Sequence, residues 1–402
     1  MEKATQKMSF LVLAGILSTY MVQTLANSVS PAMSALIAYY HNQPQTNVIL
    51  IQTIPMFISI FANFLTFPII KCLKYRETLI LSVLCLIVGG IAPAFFPDNF
   101  SMVLVMRIIH GFGFGVAYPL SAAYVMALIP CDQVGKVMGW GVSVSSIVGI
   151  AFALVTGILA ASYVHNIWWL NTILIVVLIF AFVIPEPKAI EVPEGEGKKN
   201  VKTKLPGKVY FWVIGNGVFM LFLYAFYIYI SMIITSGGMG NSAQAGMIVT
   251  ICSIAGIVAG VAFGKLYSAI KGRILGLGML LTSVMFIAGA FSSNFLVVLA
   301  CAFIGGFGSV ITVVTLYTGA GIDSPPTLVS LTTGAMAAAG NLGGFASSYF
   351  STLLASVFEQ LNNFRFPFYL SMLFFLIFGA IFFIKSKKIG FQSNTGVEEV
   401  RI

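Results

Sequence analysis

The sequence predicts an all-α membrane protein with twelve transmembrane helices in two pseudo-symmetric six-helix bundles. Three observations support this fold class. First, 59% of the 402 residues are hydrophobic and only 8% are charged, whereas soluble domains carry about 25% charged residues. Second, the chain contains twelve apolar stretches of the length that crosses a bilayer, which is about 20 residues. Third, the two halves of the chain share one repeated pattern of glycine, proline and asparagine.

The basic residues of the sequence indicate how the predicted spans are oriented. Lys and Arg cluster in alternate connections, and Arg365 is the only one in the remaining connections. Because basic loops stay on the cytoplasmic side, both termini are predicted to be cytoplasmic, in a multi-pass protein of the cytoplasmic (inner) membrane. The predicted spans are residues 9–29, 46–69, 78–95, 100–128, 138–161, 167–185, 210–234, 243–268, 274–291, 295–320, 328–356 and 366–385.

The predicted spans divide the chain into two bundles, a linker and a tail. Residues 1–185 form the first six-helix bundle and residues 210–385 form the second. The linker, residues 186–209, carries both signs of charge, three prolines and three glycines, with no apolar face. Such a composition is typical of a solvated cytoplasmic connection. Residues 386–402 are predicted to be a cytoplasmic tail.

The repeat between the two halves has a constant shift of 195 residues. Several of the matched residues are glycine, proline or asparagine, which hold backbone geometry, and the matches keep one ungapped register over about fifty residues. Six spans is an even number, so both copies cross the membrane in the same direction, as in parallel repeats related by an axis along the membrane normal. The matched pairs include Asn99 and Asn294, Gly111 and Gly306, Gly113 and Gly308, Pro130 and Pro325, and Gly139 and Gly334.

Three local motifs resemble those of the major facilitator superfamily. The fourth span, from Arg107 to Gly115, reads RIIHGFGFG and resembles the family pattern R-x-x-x-G-x-G-x-G. Residues 130–139 resemble the family loop after the fourth span, and residues 264–273 resemble the second copy of the family loop motif G-x3-D-R-x-G-R-R. The resemblance implies transport by alternating access, a cavity bordered by spans one, four, seven and ten, and gating contacts by Lys271 and Arg273.

The sequence departs from the family pattern where the first copy of that loop motif is expected. Residues 68–77 read PIIKCLKYRE and lack both the glycine and the aspartate, so that Lys74 and Arg76 alone resemble the basic end. A family-type contact there needs another acid, for which Glu77 and Asp132 are the candidates. The fifth span also lacks the Gly-Pro pair of drug and proton antiporters.

Arg107 is the main functional candidate in the sequence. An arginine at the centre of a span costs about 2.5–3.5 kcal/mol even on lenient scales, so we expect it to face a wet or polar interior. No Asp or Glu falls well inside a predicted span, and an anionic substrate would supply the missing charge. The alternative is a structural arginine that reaches the outer surface or satisfies backbone carbonyls. Gly111, Gly113 and Gly115 are predicted to allow close helix packing.

His110 lies on the same helical face as Arg107 and has an unperturbed pKa near 6.5. It is a candidate proton carrier, and the alternative is a neutral histidine that bonds two helices. Polar stripes on spans one, four, seven and ten are predicted to line the cavity, with interhelical hydrogen bonding as the alternative. The candidate substrate-binding residues are Arg107, His110, Tyr118, Gln23, Asn27, Asn216, Tyr224, Tyr227, Thr312 and Thr315.

The sequence favours a secondary active transporter of a small organic solute, with an anion as the preferred substrate. The alternatives are a proton-driven exporter of apolar drugs, and a membrane receptor that does not transport. No nucleophile, acid–base pair or metal cluster indicates an enzyme, no phosphate loop indicates ATP, and no nucleic-acid motif is present. We therefore expect no cofactor and no metal. The expected partners are the solute, a proton or counter-anion, and lipid, and the chain is expected to be a monomer.

Overall fold

The computed structural model describes residues 10–129, 134–187, 205–324, 329–358 and 363–385. The first half of the described chain contains six membrane-crossing segments. The first segment combines α1 (Phe10–Thr19), two 3₁₀ stretches and α2 (Met33–Tyr39). The second and third are both parts of α3 (Gln45–Ile91). They are followed by α4 (Phe100–Leu128), α5 (Val134–Ser162), and the sixth segment, in which a 3₁₀ stretch (Val164–Ile173) leads into α6 (Leu174–Ala181).

The second half repeats this arrangement with six longer, more regular helices. They are α7 (Gly207–Ser236), α8 (Ser242–Ile270), α9 (Ile274–Phe291), α10 (Phe295–Asp323), α11 (Val329–Val357) and α12 (Phe366–Lys385). Ten helical segments of the described chain are long and apolar enough to cross a membrane. Large apolar side chains such as Leu296 and Ile384 are exposed on the outside of the bundles, as expected for surfaces in contact with lipid. The predicted fold class is therefore confirmed.

The predicted second and third spans are two helical parts of α3 that meet at a sharp bend at Lys74. Lys74 has φ 62° and ψ 176°, in a region of backbone conformation that is almost exclusive to glycine. The bend lies between residues 69 and 78, where the second span was predicted to end and the third to begin.

Glu186 supplies the carboxylate at this bend. One of its oxygens accepts a hydrogen bond from the backbone N–H of Tyr75 at 2.7 Å, and the other accepts from the N–H of Arg76 at 3.0 Å. The Arg76 guanidinium donates to the carbonyl of Ile184 at 3.0 Å. The expected acid was Glu77 or Asp132. Glu77 makes no such contact in the structure, and Asp132 lies outside the described residues.

The sequence repeat corresponds to equivalent structural roles in the two halves. Asn99 and Asn294 each cap a helix, and their side chains accept hydrogen bonds from backbone N–H groups at the starts of α4 and α10. A Cβ on Gly113 would lie 2.5 Å from the Ser82 carbonyl on the third segment, and one on Gly308 would lie 2.6 Å from the Gly278 carbonyl on α9. Both glycines therefore allow the same close approach of helix backbones.

Candidate functional site

A cavity of about 680 Å³ lies between the two bundles. Its walls come from the first segment, α5, α7, α8 and α10, so both halves of the chain contribute. The volume is within the range of about 300–1,000 Å³ that is usual for small-molecule sites. The described residues that line it include no Asp, Glu, Lys, Arg or His. The polar lining residues are Gln23, Ser28, Ser143, Ser145, Ser146, Tyr227, Ser253 and Ser309.

The cavity opens towards one end of the bundles, which we call the basic end because Lys74 and the Lys271–Arg273 turn lie there. The lining residues Val142 and Val261 lie near this end of α5 and α8, and Val261 is 83% exposed. The other end, where α3 begins, is called the closed end. A solute in this conformation therefore reaches the cavity from the basic end.

Serine contacts between the first segment and α7 hold the closed end together. The hydroxyl groups of Ser34 and Ser231 are 2.8 Å apart, and the Ser231 hydroxyl also donates to the Pro31 carbonyl at 2.8 Å. The Ser30 hydroxyl donates to the Tyr227 carbonyl. Ser34 and Ser231 are 197 residues apart, close to the shift of the internal repeat. Equivalent positions of the two halves therefore meet across the approximate symmetry axis.

Two further pairs of helices close the same end. Between α5 and α8, a Cβ on Gly246 would lie 2.5 Å from the Ala153 carbonyl, so the backbones are in direct contact. Between α3 and α11, the rings of Phe57 and Phe345 stack with centroids 4.4 Å apart. The Asn341 amide donates to the Ser59 hydroxyl at 3.2 Å. Opening this end requires all of these contacts between bundles to break.

Arg107 lies inside the first bundle and does not face the cavity. Its side chain is 1% exposed, and its Nε donates to the Ile51 carbonyl at 2.8 Å. That carbonyl lacks its usual helical donor because Pro55, four residues later, has no N–H. The guanidinium lies 5.8 Å from the centroid of the Trp168 ring, and its Nη1 has no hydrogen-bond partner. The expectation that Arg107 faces a cavity is therefore corrected for this conformation: the missing N–H of Pro55 leaves an acceptor for Arg107 inside the bundle.

His110 and the three glycines of α4 also face the interior of the first bundle. The Nδ1 of His110 lies 3.2 Å from the Leu86 carbonyl, its Nε2 has no partner, and the residue is 1% exposed. Cβ atoms on Gly111 and Gly115 would lie 2.6 Å from Pro55 Cα and 2.7 Å from Ser59 Cα, respectively. This face of α4 is therefore a packing surface against the second and third segments.

Two of the predicted substrate-binding residues, Gln23 and Tyr227, line the cavity. Tyr118 is 41% exposed and is not part of the cavity wall. Tyr224 is buried, and its ring packs 5.6 Å from that of Tyr227.

Three other predicted residues point away from the cavity. The Asn216 amide donates to the Met336 carbonyl of α11 at 2.8 Å. The hydroxyl groups of Thr312 and Thr315 bond to carbonyls of their own helix at 2.9 and 2.7 Å, and both residues are fully buried. Their assignment as cavity residues is corrected, because the polar stripes of α7 and α10 are wider than the part of each helix that faces the cavity.

Three predicted residues remain: Asn27, Lys271 and Arg273. The side chains of Asn27 and Lys271 are outside the described part. The Arg273 guanidinium lies 5.7 Å from the centroid of the Phe383 ring and is exposed.

The serines of α5 were not among the predicted cavity residues. Ser143 and Ser146 are separated by three residues, which places them on one face of a helix, and both line the cavity. This spacing is visible in the sequence GVSVSSIVG. Serine in a span is common and bonds readily to its own helix, so the spacing becomes informative only when the neighbouring bundle is in place.

Two similar helical bundles around a central cavity are the architecture of a membrane transporter. The sequence matches the Major Facilitator Superfamily over residues 11–348, and the chain belongs to that family. A comparison with curated proteins finds no match.

Solved structures support the fold. The nucleoside transporter NupG has 10% sequence identity and a TM-score of 0.76, with 94% of this chain and 99% of that chain covered. A bacterial homologue of the human lysosomal transporter Spinster, in an inward-facing and occupied conformation, has 13% identity, a TM-score of 0.69, and coverage of 94% and 96%. The xylose transporter XylE from E. coli has 13% identity, a TM-score of 0.68, and coverage of 92% and 94%.

Proposed function

We propose that this transporter moves a small polar organic solute across the cytoplasmic membrane by alternating access, driven by an ion gradient or a counter-solute. The observation that carries the proposal is the cavity between the bundles, open at one end and closed by interbundle contacts at the other. Its polar lining is made of hydroxyl and amide groups, which suit a solute with hydrogen-bonding groups. No phosphate loop is present in the sequence to couple the movement to ATP.

The basic end is proposed to face the cytoplasm. The connections at this end carry most of the Lys and Arg residues of the chain, and positive loops stay on the cytoplasmic side. On this assignment both termini are cytoplasmic and the conformation is inward-facing. The same assignment places the linker between the proposed bundle boundaries, residues 185 and 210, on the cytoplasmic side. We also propose that the transporter is a monomer, because one chain contains the complete cavity.

A reversible lock at the closed end tests alternating access. In a background without the five native cysteines, Ser34→Cys and Ser231→Cys place two thiols where the hydroxyl groups are 2.8 Å apart, close enough for a disulfide. We expect oxidation to stop counterflow in proteoliposomes and reduction to restore it. Each single-cysteine variant is the control for oxidation damage. Undiminished counterflow with the disulfide formed would contradict the proposal, and a receptor would show solute binding without counterflow.

The solute itself is found by a thermal-shift screen that includes sugars, nucleosides and carboxylates, because any ligand of the native state raises its stability. Gln23→Ala should then raise the KM for the identified solute about tenfold, because it removes one hydrogen bond to the solute, which contributes about 1–1.5 kcal/mol. Thr312→Val is the control, since its hydroxyl bonds only to Gly308 of its own helix. Equal effects of the two substitutions would contradict the assignment of the cavity.

An organic anion is a second candidate for the solute. The Arg107 guanidinium has no nearby acid among the described residues, and its Nη1 has no partner. His110 Nε2 and the Gln52 amide are also unpaired and buried. A movement of α4 that exposes these donors would favour a carboxylate. On this proposal Arg107→Lys raises the KM for a carboxylate and leaves that for an uncharged solute unchanged, and an equal response of both solutes excludes the anion.

A further inference from the structure

A second cavity, of about 230 Å³, lies at the closed end, on the far side of the serine contacts from the first. Both bundles contribute to its wall. Gln45 and Thr46 come from the start of α3, and Tyr229, Ser351 and Ala355 come from α7 and α11. The cavity therefore exists as a complete pocket only while the bundles are together at this end.

The chemistry of this pocket is polar without charge. Its described lining residues include no Asp, Glu, Lys, Arg or His. Tyr229 is 4% exposed, and it lines the pocket together with Thr352 and Ser351. Phe364 and Pro367 supply an apolar surface beside these hydroxyls. Such a wall fits a compact ring that carries an amide or hydroxyl group, and it offers no counter-charge to an ion.

The pocket is also connected to the contacts between bundles. The Gln45 amide, from the first bundle, donates to the Met232 sulfur of α7 at 3.5 Å. Met232 follows Ser231, whose hydroxyl is bonded to Ser34 across the closed end. A ligand in the pocket thus touches residues of both bundles, and one of them, Gln45, is bonded to the residue that follows Ser231.

We propose that this pocket is a second binding site, for a small uncharged solute with an amide or hydroxyl group, and that its occupation keeps the closed end closed. A ligand shifts a conformational equilibrium only by its difference in affinity for the two states. Because the wall is divided between the bundles, opening this end separates a ligand held by the second bundle from Gln45 and Thr46. The site is separate from the central cavity and does not depend on the identity of the transported solute.

Three matched probes test the proposal on the full-length protein: benzamide, benzoate and benzylamine. The first is uncharged, and the other two have a similar ring with a negative or a positive charge. Binding is measured as the shift in Tm of the purified protein. Closure is measured as the rate at which N-ethylmaleimide labels Ser231→Cys in a background without native cysteines, because Ser231 is fully buried in the closed end.

We expect benzamide at millimolar concentration to raise Tm by a few degrees and to slow labelling at least threefold, with no effect of benzoate or benzylamine. Ala355→Phe fills the pocket and should abolish both effects. Val357→Phe, on the same helix but 66% exposed and outside the pocket, should retain them. Thr46→Phe provides a second filled pocket from the other bundle, in case Ala355→Phe folds poorly.

Three results would overturn the proposal: no response to benzamide, an equal response to the charged probes, or an undiminished response in both filled-pocket variants. The last result would assign the probe to the central cavity. Neither readout involves transport, so a failure here leaves the proposed function standing, and a failure of the counterflow experiment leaves this site standing.

Discussion

The hydrogen bond between Arg107 and the Ile51 carbonyl depends on a proline, and this dependence can be measured. In α3, Pro55 cannot donate to Ile51, and Arg107 Nε takes the place of the missing donor at 2.8 Å. Pro55→Ala restores a backbone N–H that can bond to the same carbonyl. The two substitutions Arg107→Met and Pro55→Ala therefore act on one acceptor and should not be additive.

The expected size follows from the environment of that carbonyl. Arg107→Met alone leaves the buried carbonyl without any donor, and Pro55→Ala in the same chain supplies one. A hydrogen bond from a charged group contributes about 1.5–3 kcal/mol to stability. Pro55→Ala should therefore be less destabilising in the Arg107→Met background than in the native chain, by about that amount. The sign of Arg107→Met alone is not needed, because the cycle isolates the coupling.

The assay is thermal unfolding of the four proteins of this cycle in detergent. For a unit the size of one bundle, a coupling of this size corresponds to roughly 3–12 °C in Tm. Pro68→Ala is the matched control, since Pro68 lies inside the same helix and its effect should be the same in both backgrounds. Additivity of Arg107→Met and Pro55→Ala within about 0.5 kcal/mol would refute the reasoning.

Three further predictions concern the bend and the closed end. Lys74→Gly should raise Tm, because it relieves backbone strain of about 1–3 kcal/mol at φ 62°. Lys74→Ala should not raise Tm, and equal effects of the two substitutions would show that the backbone at Lys74 is not strained. Glu186→Gln should lower stability by about 1 kcal/mol through weaker bonds to the N–H groups of Tyr75 and Arg76, with Glu77→Gln as the control for lost charge. Gly246→Leu should hold the closed end open, since its Cβ would lie 2.5 Å from the Ala153 carbonyl. Labelling of Ser231→Cys by N-ethylmaleimide should therefore accelerate. Gly260→Leu is the control and should leave the labelling rate unchanged, because no atom lies within 4 Å of a Cβ at that position.

The fold could be predicted from the sequence because the bilayer imposes strong, local constraints. A span must be apolar over about 20 residues and must satisfy its own backbone hydrogen bonds. The repeat at 195 residues, seen in Asn99 and Asn294 and in Gly113 and Gly308, then predicts the pairing of the halves. The matched glycines have matched roles in the structure because close backbone contact at the same place in both bundles requires the same absence of a side chain.

The functional site was harder to predict because a polar residue in a span has several ways to satisfy its hydrogen bonds. Thr312 and Thr315 bond to their own helix, and Asn216 bonds to a neighbouring helix. Gln23 and Tyr227 line the cavity instead. All five residues are polar and lie on polar stripes of their helices. Whether each side chain lines the cavity or bonds within the bundle therefore depends on the rotation of its helix.

By itself, the sequence determined the membrane environment, the number of spans, the duplication and the family resemblance, since each of these depends on local composition or on a repeat along the chain. Only the tertiary structure decided the direction in which Arg107 points, the replacement of the missing acid by Glu186, and the end at which the bundles are closed. The physical reason is that these three features join residues from different helices, 56 residues apart or more, and their geometry is set by how the helices pack.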